Sequence, residues 1–180
     1  LDELAKGDKP FNLTVLTVDT HFPNGYLSKT CKQKGGKNFE DIIECSADEI
    51  SKFIKYAQVK GYLKNTDVVI LGDHLSMPNA IYDKLTSLKT RYIYNKWISA
   101  APIYPRRSEI VHFDIAPTIL ESLGFLIKNG RYGLGYSATE NSPLERNRAE
   151  QMLVNLVGPS PFYNHFWFPK DETNDSSSSL

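Results

Sequence analysis

The most pronounced run of apolar residues lies near the start of the chain. Residues Leu13–Val18 read LTVLTV, a β-branched run with apolar side chains at nearly every position. This pattern is typical of a strand buried on both faces, as in a parallel sheet covered by helices. The run is followed by Asp19–Gly25, in which Pro and Asn-Gly mark a turn. The sequence therefore predicts a core strand with polar residues at its carboxyl end.

A helix and a second buried strand are predicted next. Ser46 and Glu49 have the spacing of a capping box, and apolar residues recur after them at helical spacing. Asp67–Leu71, DVVIL, is predicted to be a buried strand, and polar residues again follow it. Strand, helix and strand in this order predict a βαβ unit. The predicted fold class is α/β, with a mainly parallel sheet and flanking helices, in which ligand crevices form at the carboxyl ends of the strands.

The remaining patterns extend this architecture. Arg91–Ser99 alternates well enough to predict a third strand near the sheet edge, and Phe113–Leu123 has a helical pattern that Gly124 ends. The aromatic stretch Phe162–Phe168 is interpreted as a short strand or a covering arm. No internal repeat is found.

Three regions are expected along the chain. Residues 1–140 carry the α/β pattern, and residues 141–170 contain a predicted helix at Leu144–Val157 and the aromatic segment. Residues 171–180 are polar, end in four serines, and are expected to be disordered.

Charge and hydropathy exclude some classes of function. The 180 residues carry 21 basic and 21 acidic side chains, so the chain has no net positive charge that would attract nucleic acid. No run of about 18 apolar residues is long enough to span a bilayer, and the first ten residues lack the pattern of a signal peptide. On this evidence the chain is either cytosolic or targeted by a segment that the sequence does not include.

The two cysteines provide information about the cellular compartment of the protein. Cys31 and Cys45 are separated by a polar stretch rich in Lys and Gly, which suits a local disulfide better than two buried thiols. A metal site is less expected, because no CxxC or neighbouring His–Cys spacing accompanies them.

Two groups of polar residues, each after a predicted strand, could form a functional site. Asp73 and His74 offer an oxygen and a nitrogen ligand, a mixture that Zn²⁺, Mn²⁺ and related ions accept. The alternative is an Asp that caps the next turn and a His satisfied by backbone. His21 could contact a phosphate or be a surface histidine of its turn. Both groups follow strands that are expected to lie in one sheet. A shared site and two structural histidines are therefore equally supported.

Other polar residues have less specific patterns. His112 is interpreted as a capping or core histidine, and His165 as packing within the aromatic run. Arg106 and Arg107 are expected to be solvated, although a basic pair near a phosphate site is conceivable. No P-loop is present, which argues against a nucleotide hydrolase of that kind.

Taken together, the motifs resemble the phosphoglycerol transferases that modify periplasmic glucans, within the alkaline phosphatase/sulfatase superfamily. The Asp-His pair is shared across that superfamily, whereas the Thr-His-x-Pro-x-Gly turn and the cysteine pair are more specific. The resemblance covers about residues 10–170 and is carried by Asp19–Tyr26, Cys31, Cys45, Val68–Met77, Asp114–Gly124, Gly133–Ser137 and Phe166–Lys170.

The resemblance implies a site and a reaction. Family members attack a phospholipid head-group phosphodiester with a threonine and pass phosphoglycerol to an acceptor hydroxyl. By resemblance, Asp73 and His74 match the residues that bind one divalent metal (Mn²⁺, Mg²⁺ or Zn²⁺), and His21 matches a histidine that contacts the substrate phosphate or glycerol. The implied donor is a phospholipid head group and the acceptor a periplasmic glycan.

The chain departs from the family pattern at one point. The threonine nucleophile and an acidic ligand precede these motifs in the family, and nothing in Leu1–Phe11 matches either. The chain is therefore expected to be the C-terminal part of an alkaline phosphatase/sulfatase-like catalytic domain, inactive alone. The complete protein is expected to be periplasmic or extracytoplasmic and membrane-anchored.

Two alternatives remain at this point. The first is an enzyme like lipoteichoic acid synthase or the phosphoethanolamine transferases, which share the fold. The second is a non-catalytic module that binds a glycan or lipid head group.

Overall fold

A computed structural model describes residues 1–101, 103–107, 109–139 and 154–169. Within these ranges the chain forms six α-helices with defined bounds, two short 3₁₀ helices (Tyr62–Lys64 and Lys128–Gly130) and two small sheets. The helices are α1 (Asp2–Ala5), α2 (Lys29–Gln33), α3 (Phe39–Val59), α4 (Tyr82–Thr86), α5 (His112–Ser122) and α6 (Pro161–Trp167), and the strands are β1 (Val68–Leu71), β2 (Asn95–Ile98), β3 (Arg131–Tyr132) and β4 (Gly135–Tyr136).

The longest helix, α3, begins earlier than the sequence analysis predicted. Its N-terminus is a capping box in which Asn38 Oδ1 accepts the Asp41 N–H (3.0 Å) and Asp41 Oδ2 accepts the Asn38 N–H (3.1 Å). The helix buries Phe39 and Ile42 in its first turn. The predicted start at Ser46 is wrong, because the Asn38 cap starts the helix about two turns upstream and lets those apolar residues join the buried face.

The cysteines join α2 to α3. Cys31 lies in α2, where the Ser28 hydroxyl caps the helix by accepting the Cys31 N–H (3.2 Å), and Cys45 lies in α3. The predicted disulfide between them is present, with their Cα atoms 5.7 Å apart. It closes the polar loop and fixes α2 against α3.

Both sheets of the described residues are antiparallel. β1 pairs with β2 over the register Val68↔Ile98 to Leu71↔Asn95, and β3 pairs with β4. Each sheet has two strands. The predicted strands near 67–71 and 91–99 thus exist in shortened form, but the mainly parallel sheet is not found in the described residues. Apolar patterns report the burial of a strand and not the direction of its partner.

Leu13–Val18 is not a strand in this structure, and the predicted βαβ unit is therefore absent from the described part of the chain. The segment is without regular structure, and Val15 and Leu16 are 68% and 78% exposed. A strand with apolar residues on both faces needs neighbouring strands and covering helices to bury them. The described residues provide no strand that pairs with this segment.

A small polar core joins α5 to β4. Asp114 is fully buried, and its carboxylate accepts the Val111 N–H (3.0 Å) and the Tyr136 N–H (2.9 Å). Arg107 donates to the same carboxylate (3.3 Å) and to the Tyr136 carbonyl (2.7 Å). The expectation that Arg107 is solvated is wrong, because the buried charge of Asp114 requires a buried partner.

The backbone at β4 approaches α5 closely. A Cβ added at Gly135 would lie 1.7 Å from the Phe113 carbonyl oxygen, so this position requires glycine.

The aromatic segment is helical. Ser160 caps α6 by accepting the Tyr163 N–H (3.1 Å), and Pro161 occupies the first helical position. The predicted strand or covering arm at Phe162–Phe168 is thus a helix, since a Ser-Pro start favours the helical first turn. Of the predicted helix at Leu144–Val157, residues 154–157 are helical, and the rest lies outside the described residues, as does the predicted tail at 171–180.

Candidate functional site

The Asp-His pair lies directly after β1. The Gly72 N–H donates to the Tyr94 carbonyl (2.9 Å), which extends the β1–β2 ladder by one residue. The chain then leaves the sheet, and the side chains of Asp73 and His74 are 78% and 56% exposed. A strand end and an open turn therefore hold both side chains in solvent, as a site for an approaching ligand requires.

The two side chains face each other. Asp73 Oδ1 accepts the His74 N–H (3.0 Å), and Asp73 Oδ2 lies 3.5 Å from His74 Nε2. His74 Nδ1 lies 2.8 Å from the Leu75 carbonyl oxygen. A carbonyl oxygen can only accept, so Nδ1 donates, and in the neutral ring Nε2 then holds the lone pair. In that tautomer Asp73 Oδ2 and His74 Nε2, 3.5 Å apart, can both bind one ion.

The donor set fits part of a metal site. Asp oxygen with neutral His nitrogen suits Zn²⁺ or Mn²⁺, and a carbonyl that holds the second ring nitrogen is the usual support for a histidine ligand. No group of three or more His, Cys, Asp or Glu that could hold a metal occurs in the described ranges. Since a catalytic zinc-like site has at least three protein ligands, the pair requires further ligands from elsewhere.

Two polar side chains hold the turn that follows the pair. The Arg91 guanidinium donates to the Ser76 carbonyl (2.5 Å) and lies over the Tyr82 ring, 5.5 Å from its centroid. The Asn79 amide donates to the Met77 carbonyl (3.0 Å) and to the Ser76 hydroxyl (2.5 Å). These contacts tie the turn to α4 and to the segment before β2.

His21 belongs to a separate turn. The His21 N–H donates to the Val18 carbonyl (3.1 Å), and the Tyr26 N–H closes the turn on the Asp19 carbonyl (2.7 Å). His21 Nδ1 lies 2.8 Å from the Phe22 carbonyl oxygen and donates to it, so in the neutral ring Nε2 holds the lone pair. Gly25 adopts a positive φ of 66°, and a Cβ there would lie 2.8 Å from the Asp19 oxygen.

The structure shows a direct contact between two of the three predicted site residues. Asp73 and His74 are in contact, whereas no hydrogen bond or ion pair among the described residues joins His21 to either. The expected shared crevice depended on two parallel strands, and Leu13–Val18 does not form the first of them.

The sequence did not predict the contacts of two residues of α5. His112, the exposed first residue of α5, has its Nε2 3.2 Å from the Gly72 carbonyl oxygen, so it is not a core histidine. Asp114, two residues later, holds the start of α5. The sequence contains one sign of the role of Asp114, which follows Val111 by three positions, the spacing of a capping residue. Its contacts with residues farther along the chain correspond to no sequence pattern.

Comparison with known proteins identifies relatives. Residues 1–125 match the sulfatase family. A protein of Citrobacter koseri named phosphoglycerol transferase I is 37% identical over 184 aligned positions, which cover 94% of this chain and 23% of the relative. Proteins of the same name from Escherichia fergusonii and Escherichia coli strain 55989 are 37% and 36% identical over 90 positions, covering 47% of this chain and 12% of each relative.

The chain thus spans less than a quarter of the length of these curated relatives. No solved structure matches it. Within the described residues, no helix is long and apolar enough to cross a membrane.

Proposed function

We propose a function for this chain from the premise that it belongs to the sulfatase family, which residues 1–125 match. The proposed reaction is the metal-dependent transfer of phosphoglycerol from phosphatidylglycerol to a hydroxyl of a glycan acceptor. Relatives named phosphoglycerol transferase I, one of them aligned with 94% of the chain, support a phosphotransferase role. Because the chain spans 23% of that relative, the reaction is proposed for the complete protein.

The proposed chemistry has two displacements. A threonine hydroxyl from the part of the catalytic domain outside this chain attacks phosphorus and loses its proton, while the bond from phosphorus to the diacylglycerol oxygen breaks. That oxygen takes up a proton and leaves as an alcohol. An acceptor hydroxyl then attacks phosphorus and loses its proton, while the bond from phosphorus to the threonine oxygen breaks. The threonine oxygen takes up a proton, and the new phosphodiester is formed.

The observation that carries the proposal is the geometry of Asp73 and His74. Their ligand atoms lie 3.5 Å apart, and the Leu75 carbonyl keeps the proton on Nδ1, so both atoms can bind one cation. A bound Mn²⁺, Mg²⁺ or Zn²⁺ would lower the pKa of the threonine hydroxyl and offset charge on the phosphoryl oxygens. The remaining ligands would come from the threonine and an acidic residue outside this chain.

His21 is the proposed substrate contact. Because its Nδ1–H is held by the Phe22 carbonyl, Nε2 is available to the substrate. The neutral ring can accept a hydrogen bond from a glycerol hydroxyl, and the protonated ring can donate to a phosphoryl oxygen. The closed turn from Val18 to Tyr26 limits the positions of the ring.

The exposed apolar run supports an incomplete domain. Leu13–Val18 exposes side chains that a sheet would bury, and His21 follows it directly. In the proposed complete protein, strands outside this chain cover the run and bring His21 toward Asp73. The disulfide supports an extracytoplasmic location, where such bonds persist, and the membrane anchor is proposed to lie outside this chain.

The test is a transfer assay on the complete protein, with phosphatidylglycerol vesicles and a glucan acceptor. Asp73→Asn should lower transfer by at least about a hundredfold, since it removes a metal ligand charge. Asp83→Asn is the matched control, because Asp83 is exposed in the first turn of α4. The isolated 180-residue chain should show no turnover.

Two results would contradict the proposal. Full activity in Asp73→Asn would refute the metal assignment. Binding of vesicles or glucan by the complete protein without any turnover would instead identify a non-catalytic module.

A further inference from the structure

His112 makes a long-range contact beside the candidate metal pair. Its Nε2 lies 3.2 Å from the Gly72 carbonyl oxygen, across 40 residues of sequence. Because the carbonyl can only accept, Nε2 carries the proton and donates. The contact joins the first residue of α5 to the last residue before the Asp73–His74 pair.

Gly72 is held on both of its backbone polar groups. Its N–H donates to the Tyr94 carbonyl (2.9 Å), and its carbonyl accepts from His112. A Cβ added at Gly72 would lie 3.3 Å from Ile93 Cβ, so the segment before β2 also packs closely against it. The residue is thus confined between that segment on one side and α5 on the other.

The Gly72 carbonyl shares a rigid plane with Asp73. A peptide unit is planar from one Cα to the next, so the Gly72 oxygen, the Asp73 nitrogen and the Asp73 Cα move together. A donor that holds the Gly72 oxygen therefore limits rotation of the plane from which the Asp73 side chain departs. This restraint is important because Asp73 and His74 are exposed and gain little support from packing.

The other end of this contact is firmly anchored. The buried Asp114 carboxylate accepts the Val111 N–H (3.0 Å) and the Tyr136 N–H (2.9 Å), and Arg107 also donates to it. His112 lies between Val111 and Asp114 in the sequence, so its backbone is held by the polar core of α5 and β4. The His112 imidazole therefore links that polar core to the Gly72 carbonyl through a hydrogen bond.

We propose that His112 is a positioning residue that holds the Gly72–Asp73 peptide plane and thereby orients Asp73 and His74 toward a shared divalent cation. The cation part of this inference depends on the proposed function. His112 itself is not assigned as a ligand or as a group that contacts substrate.

The test compares His112→Gln with His112→Met in the complete protein. Glutamine places an amide N–H near the position of Nε2 and can donate to Gly72, whereas methionine fills a similar volume and cannot donate. His165→Met is the matched control, because His165 lies in α6 and no hydrogen bond among the described residues joins it to this turn.

The first measurement is amide hydrogen exchange without metal. In His112→Met, exchange at Gly72 and His74 should be about fivefold faster than in the wild type, the effect of losing one hydrogen bond. His112→Gln and His165→Met should exchange like the wild type, and the amides of α5 should be unchanged in all three variants. Equal exchange in the Gln and Met variants would overturn the inference, as would faster exchange throughout α5.

The second measurement is Mn²⁺ binding by calorimetry. His112→Met should weaken binding about tenfold, the range for residues that support a ligand, and His112→Gln should restore it. Unchanged affinity in His112→Met would refute the orienting role. An Asp73→Asn arm separates the two hypotheses. If it leaves Mn²⁺ binding intact, the metal assignment and the orienting role fail, and the exchange data still decide whether His112 holds the turn.

Discussion

Replacing Asp114 by asparagine tests the polar core that supports α5. The carboxylate is fully buried and accepts from two backbone N–H groups and from Arg107. The donors approach both oxygens, with Tyr136 at Oδ1 and Val111 and Arg107 at Oδ2. Either orientation of an asparagine amide therefore sets an NH₂ group against at least one N–H donor.

The expected cost follows from these partners. Breaking a buried ion pair by removing one charge costs about 3–5 kcal/mol. Asparagine keeps one acceptor oxygen, so we expect Asp114→Asn to lower the free energy of unfolding by about 3 kcal/mol. This is a large fraction of a typical stability of about 5–15 kcal/mol. With a urea dependence of about 2 kcal/mol per molar, the midpoint falls by about 1.5 M.

Urea denaturation followed by circular dichroism measures this change. Asp83→Asn is the control, because the exposed Asp83 side chain should contribute no more than about 0.5 kcal/mol. A midpoint for Asp114→Asn within the error of the control would contradict the reasoning. It would mean that the carboxylate is not the acceptor on which Val111, Tyr136 and Arg107 depend.

Three further predictions concern the disulfide, the N-terminal helix and the substrate contact. Replacing both Cys31 and Cys45 by serine should lower the free energy of unfolding by about 3 kcal/mol, from the entropy of a loop of this length; an unchanged denaturation curve would contradict this. A hydrogen bond to Asp2 raises the pKa of Tyr56 from 10.0 to about 12, so this contact is intact below about pH 10 and lost as the pH rises through about 12. Ultraviolet difference titration should show this late tyrosine, and Asp2→Asn should return it to its ordinary range. His21→Ala in the complete protein should reduce turnover by about one to three orders of magnitude without changing its stability, whereas joint loss of both would indicate a structural histidine.

Local sequence patterns identified the elements that pack against partners within the described residues. The run at 67–71 and the helical pattern at 113–123 correspond closely to β1 and α5. Each pattern has a partner nearby, since β1 pairs with β2 and α5 packs on β4. Where an element and its neighbours lie in the same stretch of chain, the apolar period is sufficient to predict it.

Leu13–Val18 shows the limit of this reasoning. Its composition is that of a buried strand, but the segment is exposed and unpaired among the described residues. A strand depends on the chains beside it, and the sequence pattern does not say where these come from. The predicted crevice shared by His21 and the Asp73–His74 pair depends on the same strand and stays a prediction.

Some residues in and around the candidate site could be predicted from the sequence, and others could not. Asp73 and His74 were recognisable because they are adjacent and follow an apolar strand. His112 and Arg107 acquire their roles from Gly72 and Asp114, which are distant in sequence or share no periodic pattern with them. Contacts of this kind arise from tertiary packing and could not be predicted from the sequence.

The proposed role of Asp73 and His74 is to bind the divalent cation of a phosphoglycerol transferase. Calorimetric titration of the complete protein with Mn²⁺ tests it most directly, in the wild type, in Asp73→Ala, in His74→Ala and in the Asp83→Asn control. We expect one tight site in the wild type and the control, and its loss in both alanine variants. Tight stoichiometric binding that survives both alanine substitutions would place the cation elsewhere and refute the role proposed for Asp73 and His74.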